Sequence, residues 1–273
     1  MTSHKLRVAA VQLNSQDDVE RNLQAVSRVV ERAAADGVRL AVLPENFAYF
    51  GPELGRRSVS ERVGDAAAPI QKALSELAKT HRMALIAGGF PELSPELERP
   101  FNTCLVFSGA GELVARYRKI HLFDVDLPDG TELRESRDTR AGDDAVVVDV
   151  AGFCVGLSIC YDLRFPELYR ELVSRGAEVL VVPAAFTLLT GKDHWHPLLR
   201  ARAIESQSYV IAAAQWGKHP KGRTTYGHAM IVDPWGTIVA ECSDRVGYVA
   251  AEIDREYLDE VRSRLPSLKH RRL

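Results

Sequence analysis

The chain has 273 residues, 46% of them hydrophobic and 26% charged, enough to bury a large core beneath a solvated surface. Lysine plus arginine number 35 against 37 aspartates and glutamates, a formal charge of −2, so no global field draws the protein to nucleic acid or to an anionic membrane. The longest apolar stretches, residues 40–43 and 179–182, fall far short of the roughly 20 residues that a bilayer crossing takes. The start, Met1-Thr2-Ser3-His4-Lys5, runs into a strand pattern with no signal-peptide apolar segment, and a cytosolic protein is the expectation. Cys104, Cys154, Cys160 and Cys242 lie far apart in apolar segments, which suits reduced thiols better than a disulfide frame.

Alternation over residues 6–13 predicts a first strand. Asp17 or Asp18 can cap a helix whose apolar stripe is Val19, Leu23, Val26, Val30 and Ala33, ending at Gly37. A buried strand over 38–43 stops at Pro44; a helix over 67–81 leads to a strand over 83–87 and then Gly88-Gly89. Residues 103–107 and 112–118 read as a hairpin, 121–144 as irregular loop, and 146–150 with 153–159 as a second hairpin around Ala151-Gly152. A helix over 166–174 opens on Pro166 and has Gly176 past its end; a strand over 178–182 follows. Next come a helix over 197–207, a strand over 209–215, and a hairpin of 229–232 with 237–241 turning on Pro234-Trp235-Gly236. A last strand over 248–253 meets a helix that Asp254 can cap and Pro266 closes. Hairpins mixed with α/β units require sheets containing antiparallel pairs, so the fold class is α/β with mixed sheets rather than a fully parallel one. No repeat or linker divides the chain, and one domain over 1–273 is expected.

The strongest local signal is Cys160-Tyr161-Asp162-Leu163-Arg164-Phe165-Pro166-Glu167. It places a thiol at the carboxyl end of a buried strand and just before a proline-initiated helix, where α/β sheets collect ligands. The helix N-terminus and Arg164 would favour the attacking thiolate, although most free cysteines in strands are packing residues. Leu43-Pro44-Glu45 sets a carboxylate just past another strand, where it could shuttle protons. Arg118-Lys119-Ile120-His121 follows a third strand, and its ammonium could stabilise an oxyanion. A surface glutamate and a solvated basic turn are the structural alternatives. Three complementary groups at three strand ends make a site hypothesis.

These three motifs, in this order, resemble the nitrilase, or carbon–nitrogen hydrolase, superfamily, and the resemblance covers the chain from the first strand to about Arg272. His194-Trp195, Leu199-Arg200-Ala201-Arg202-Ala203-Ile204-Glu205, Tyr226-Gly227-His228 and Asp233-Pro234-Trp235-Gly236 make it similar to the Nit branch. The resemblance implies a four-layer α-β-β-α sandwich that dimerises or assembles further, with the tail over 265–273 at a subunit interface. It implies that Glu45 is the general base, Lys119 stabilises the tetrahedral intermediate, and Cys160 forms a thioester while ammonia leaves. A second glutamate is implied between lysine and cysteine; Glu135 is the better match and Glu132 the alternative. Lys119 and the backbone N–H of Tyr161 would form the oxyanion hole. The implied activity is hydrolysis of a small carboxamide with no cofactor and no metal. Within the branch, deaminated-glutathione amidase is preferred over ω-amidase, because Thr225-Tyr226-Gly227-His228 stands where ω-amidases tend to have Trp-Gly-His.

Arg164 could grip an α-keto-acid carboxylate in bidentate fashion or serve as a structural partner of Glu167 or Asp162. Phe186, Thr187 and Thr190 could line the pocket. Competing chemistries fit less well. A Cys–His protease would use one of His121, His194, His196 or His228, but no pattern singles one out. His194-Trp195-His196 lacks the companion motif of a zinc site. Gly156-Leu157-Ser158-Ile159-Cys160 lacks the final glycine of a serine nucleophile elbow. Gly109-Ala110-Gly111 lacks the third glycine and the following helix of a dinucleotide loop. A catalytically silent scaffold remains a separate class, against which the intact trio of Glu45, Lys119 and Cys160 argues.

Overall fold

The computed structural model describes residues 5–126, 130 and 132–272. In chain order the elements are β1 (Lys5–Leu13), α1 (Val19–Ala35), β2 (Leu40–Leu43), α2 (Glu53–Ser58), α3 (Pro69–His81), β3 (Ala84–Glu92), β4 (Phe101–Phe107) and β5 (Leu113–Arg118). A small excursion follows, β6 (Asp124–Asp126), β7 (Glu132–Arg134) and α4 (Glu135–Asp138). Then come β8 (Val147–Val150), β9 (Phe153–Leu157), α5 (Pro166–Ser174), β10 (Val179–Val181), α6 (Leu188–Ser206), β11 (Tyr209–Ala212) and β12 (Ala214–Lys218). The chain finishes with β13 (Thr224–Tyr226), β14 (Met230–Val232), β15 (Ile238–Glu241), β16 (Gly247–Asp254) and α7 (Arg255–Arg264).

One sheet has the order β13-β12-β1-β2-β3-β4-β5, with β16 antiparallel to β1, and the other has β15-β14-β11-β10-β9-β8. Alternation along the strands of the first sheet sorts its side chains into two layers. Ala9, Val11, Ala41, Leu43, Leu85 and Ala87 meet α1 and α3 on one face. Val8, Ala10, Leu40, Val42, Ile86 and Val106 point the other way, into the core shared with the second sheet. That second sheet is covered in turn by α5 and α6, through Leu168, Leu172, Trp195 and Leu199. The result is the α-β-β-α sandwich of the nitrilase type, with mixed sheets.

Helix α1 forms as its pattern dictates. Asp18, rather than Asp17, accepts from the Arg21 N–H at 3.0 Å, and Val26, Val29, Val30 and Ala33 are buried. Each such valine contributes about 1.5–3 kcal/mol by leaving water. Three expectations change. The helix expected over 197–207 begins at Leu188, because Thr187 caps it by accepting from the Thr190 N–H, and Pro197 lies inside it. A mid-helix proline costs about 3 kcal/mol, here offset by the burial of Trp195 and Leu199 on either side of it. The strand expected over 209–215 is two strands in two sheets: β11 pairs with β10, and β12 pairs with β1. Ala212-Ala213-Ala214 is buried at the crossing, where small side chains let the chain pass between packed layers. The loop expected over 121–144 carries the β6–β7 pair and α4. No helix among the described residues is long and apolar enough to cross a membrane, and Cys104, Cys154, Cys160 and Cys242 are free thiols.

Candidate active site

Each reactive side chain is aimed by its neighbours. Glu45 lies just beyond β2, against the point where β3 shifts register between Ala87 and Phe90. Gly89 sits there with φ +73°, and a Cβ on it would meet the Asn46 nitrogen at 2.3 Å and the Glu45 Cα at 2.6 Å. Only glycine admits that approach. Lys119 follows β5, whose last residue Arg118 is pinned to buried Glu92 (Nη2–Oε1 2.6 Å, Nε–Oε2 3.0 Å). Strand alternation then sends Lys119 to the opposite face, and its N–H donates to the Asn102 carbonyl at 2.8 Å.

Cys160 begins a short 3-10 turn, Cys160–Arg164, beyond β9, with φ +49° and its N–H bonded to the Pro183 carbonyl at 2.9 Å. A non-glycine residue in the left-handed region is strained and needs surrounding structure to hold it. Asp162 supplies that hold. Fully buried, it accepts from the Ile159 N–H (2.9 Å), the Tyr117 hydroxyl (2.7 Å) and the His121 N–H (3.0 Å). Tyr117 and His121 flank Lys119, so one carboxylate fixes the cysteine turn relative to the lysine.

The side chains converge. Lys119 Nζ donates to Glu45 Oε1 at 3.1 Å and to Glu135 Oε2 at 2.8 Å. Asn102 Nδ2 bridges the same carboxylates, at 2.9 Å to Glu45 Oε1 and 3.2 Å to Glu135 Oε1. The Ala185 N–H donates to Glu45 Oε2 at 3.0 Å, and the Phe123 N–H to Glu135 Oε2 at 2.8 Å. Burial alone would lower the Lys119 ammonium, but Glu135 and Glu45 outweigh it and hold Lys119 above its ordinary range. Burial would likewise raise Glu135, yet Lys119 and Arg56 keep it below the ordinary carboxylate value. Burial, then the Glu45 charge, push the Cys160 thiol well up, with only partial relief from Lys119. Burial and the Glu45 charge thus favour the thiol form of Cys160 over a preformed thiolate.

The sequence-derived residues meet around one cavity of about 730 Å³ lined by Glu45, Lys119, Glu135, Cys160, Tyr161, Arg164, Phe186, Thr187 and Thr190. Glu132 also reaches that cavity but is exposed; Glu135 alone of the two contacts Lys119. Arg164 pairs with neither Glu167, which is exposed, nor Asp162: its Nη1 contacts His194 Nδ1 at 3.2 Å, and it lies over the rings of Phe186 and Tyr161. No carboxylate among the described residues forms an ion pair with it. Thr187 and Thr190 share a hydroxyl contact at 2.9 Å at the start of α6. Sequence inspection missed Asn102, Arg56 and the Ala185 N–H. An asparagine beside an apolar strand was the one available signal; the other two need the folded chain.

Comparison with known proteins identifies the family. Residues 7–263 match the carbon-nitrogen hydrolase family. The chain belongs to that family. It is 45% identical over 267 residues to a deaminated glutathione amidase from Synechocystis, covering 96% of this chain and 97% of that one. The crystal structure of the C. elegans NitFhit protein superimposes with a TM-score of 0.92 at 41% identity; it matches all of this chain, which spans only 66% of that longer one. Nit3 from Saccharomyces cerevisiae, described as a member of branch 10 of the nitrilase superfamily, gives 0.90 at 34% identity, covering 100% of this chain and 98% of that one.

Proposed function

We propose that this protein is an amidase that hydrolyses deaminated glutathione through a thioester on Cys160. One observation carries the chemistry: the side chains of Cys160, Glu45 and Lys119 share one cavity, the last two in direct contact at 3.1 Å. Glu45 takes the Cys160 proton as sulfur attacks the amide carbonyl carbon. The oxyanion of the tetrahedral intermediate is held by the Lys119 ammonium and the Tyr161 N–H. Glu45 returns its proton to the departing amine as the carbon–nitrogen bond breaks, leaving the acyl thioester. Water then attacks, Glu45 takes its proton, and collapse releases the carboxylic acid product and restores the thiol. Glu135 acts through Lys119, fixing the ammonium between two carboxylates.

The substrate assignment rests on the relatives and on charge. Among the described residues, eight lysines and arginines line the cavity against five carboxylates, which suits an anionic amide. Arg164, in no ion pair with a carboxylate among the described residues, would bind the α-keto-acid end, while Phe186, Thr187 and Thr190 bound the acyl site. Deaminated glutathione joins an α-keto acid through its side-chain amide to cysteinylglycine. Its hydrolysis therefore releases the dipeptide amine, not the ammonia expected for a primary carboxamide.

Exposed Ile204 on α6 packs beside Gly236, next to exposed Trp235, an apolar area that would serve a homodimer or larger assembly, with the tail over 265–272 beside the interface. Four free thiols fit a reducing cytosolic setting. The test is a panel of deaminated glutathione, α-ketoglutaramate and simple aliphatic amides, followed by released α-keto acid, amine or ammonia. Preference for deaminated glutathione is expected. A panel led by α-ketoglutaramate would make the protein an ω-amidase. No turnover, with Cys160 unlabelled by iodoacetamide, would leave only a scaffold.

A further inference from the structure

The histidines of His194-Trp195-His196 do not act as a pair. Two helical residues apart means about 200° around the axis, and His194 turns to Arg164 while His196 turns to Glu241 (Nε2–Oε1 2.8 Å). The same Glu241 oxygen lies 2.7 Å from His228 Nδ1. We propose that His196, His228 and Glu241 form a binding site for a divalent transition-metal ion such as zinc, cobalt or nickel, separate from the amidase cavity.

Three features support it. First, one donor atom from each residue lies within 4.8 Å of the others, and the three come from different elements: α6, the turn between β13 and β14, and the end of β15. An ordinary ion pair needs one imidazole; here two meet one oxygen. Second, His228 is held before any ion arrives. Its φ is +59°, its carbonyl accepts from Trp195 Nε1 at 2.9 Å, and the Tyr226 ring stacks on its imidazole at 4.4 Å. Third, its other nitrogen, Nε2, faces Asp244 Oδ1 at 3.4 Å. At that ion-pair distance the carboxylate is placed to favour the tautomer with its proton on Nε2 and Nδ1 open to a ligand, the arrangement usual for metal-bound histidines.

Zinc–nitrogen and zinc–oxygen bonds of about 2.0–2.2 Å put tetrahedral donors about 3.4 Å apart, so Glu241 would withdraw by roughly 0.6 Å. Its side chain is 31% exposed and ends a strand, which leaves room for that movement. Solvent would supply the fourth ligand. Two imidazoles and a carboxylate favour borderline ions over calcium or magnesium. None of the three residues lines the amidase cavity, so the ion would clip α6 to the edge of the second sheet rather than take part in hydrolysis.

The experiment is calorimetric titration of the tag-free, chelator-treated protein with Zn²⁺, paralleled by the visible absorption of added Co²⁺. One ion per chain is expected, with a tetrahedral-type cobalt band. His196→Ala and the isosteric Glu241→Gln should each weaken binding at least about 100-fold, and Asp244→Asn by about 10–100-fold, as loss of an outer partner does. The absence of saturable binding at one equivalent, or equal affinity in the wild type, His196→Ala and Glu241→Gln, would overturn the assignment. Neither result bears on amide turnover.

Discussion

Replacing Lys119 by methionine removes the single ammonium held between Glu45 and Glu135, and the expected consequences divide cleanly between stability and activity. The side chains of Lys119, Glu45 and Glu135 are 2%, 6% and 15% exposed, and Arg56 is the further cation whose charge Glu135 feels. In the native protein two carboxylates face two cations. Lys119→Met leaves that group one negative charge in excess, away from water. Breaking a buried pair on one side costs about 3–5 kcal/mol. At roughly 2–4 °C per kcal/mol for a chain somewhat smaller than this one, the apparent Tm should fall by about 6–20 °C. Activity should fall at least about 100–1,000-fold through loss of an oxyanion donor. Adding Glu135→Gln restores the balance while keeping an acceptor for Phe123 N–H. The double variant should therefore regain half or more of the lost stability and none of the activity. Thermal and urea unfolding, with kcat/KM on the same preparations, provide the assay. A double variant no more stable than Lys119→Met alone would refute the charge-balance reasoning.

Arg164→Ala should lower kcat/KM for deaminated glutathione by about 10–100-fold, the worth of charge-assisted hydrogen bonds of about 1.5–3 kcal/mol. The same variant should change turnover of a neutral aliphatic amide little; equal losses on both substrates would remove the carboxylate role. Gly89→Ala brings a Cβ within 2.6 Å of Glu45 Cα at a φ that disfavours side chains, so it should displace Glu45 and reduce kcat more than it raises KM. Steady-state kinetics on folded Gly89→Ala would show this, and unchanged kcat would contradict it. Burial opposes ionisation of Glu53, but Lys221 and Arg223 outweigh it and depress its carboxyl to about 2. A depressed folded-state value gives stability that is present above the ordinary 4.5 and is lost as pH falls towards 2. Glu53→Gln should accordingly flatten the acid limb of the urea-unfolding profile in that window, whereas an unchanged limb would mean the pair contributes nothing.

Local patterning carried far in this chain where one element answers to one force. The α1 stripe, with a cap at Asp17 or Asp18, and the strands at β1 to β3 are written in spacing alone. It failed where two demands met. Pro197 reads as a helix start, yet α6 continues through it because Trp195 and Leu199 pack on either side. The apolar run through Ala212-Ala213-Ala214 reads as one strand because a sheet crossing is buried on all sides. Glu45, Lys119 and Cys160 were legible as residues at strand ends. Asn102 and Arg56 were not, since what they do depends on carboxylates distant in sequence. Glu135 separated from Glu132 only once α4 set it beneath Lys119.

The most direct test of the account is the mass of the intact protein after rapid acid quench during turnover of deaminated glutathione. The mechanism predicts a fraction of molecules heavier by the α-keto acyl group, with the adduct mapping to Cys160 and absent from Cys160→Ala. A Cys160→Ala protein that still hydrolyses the substrate, with no acylated peptide containing Cys160 in the wild type, would contradict it.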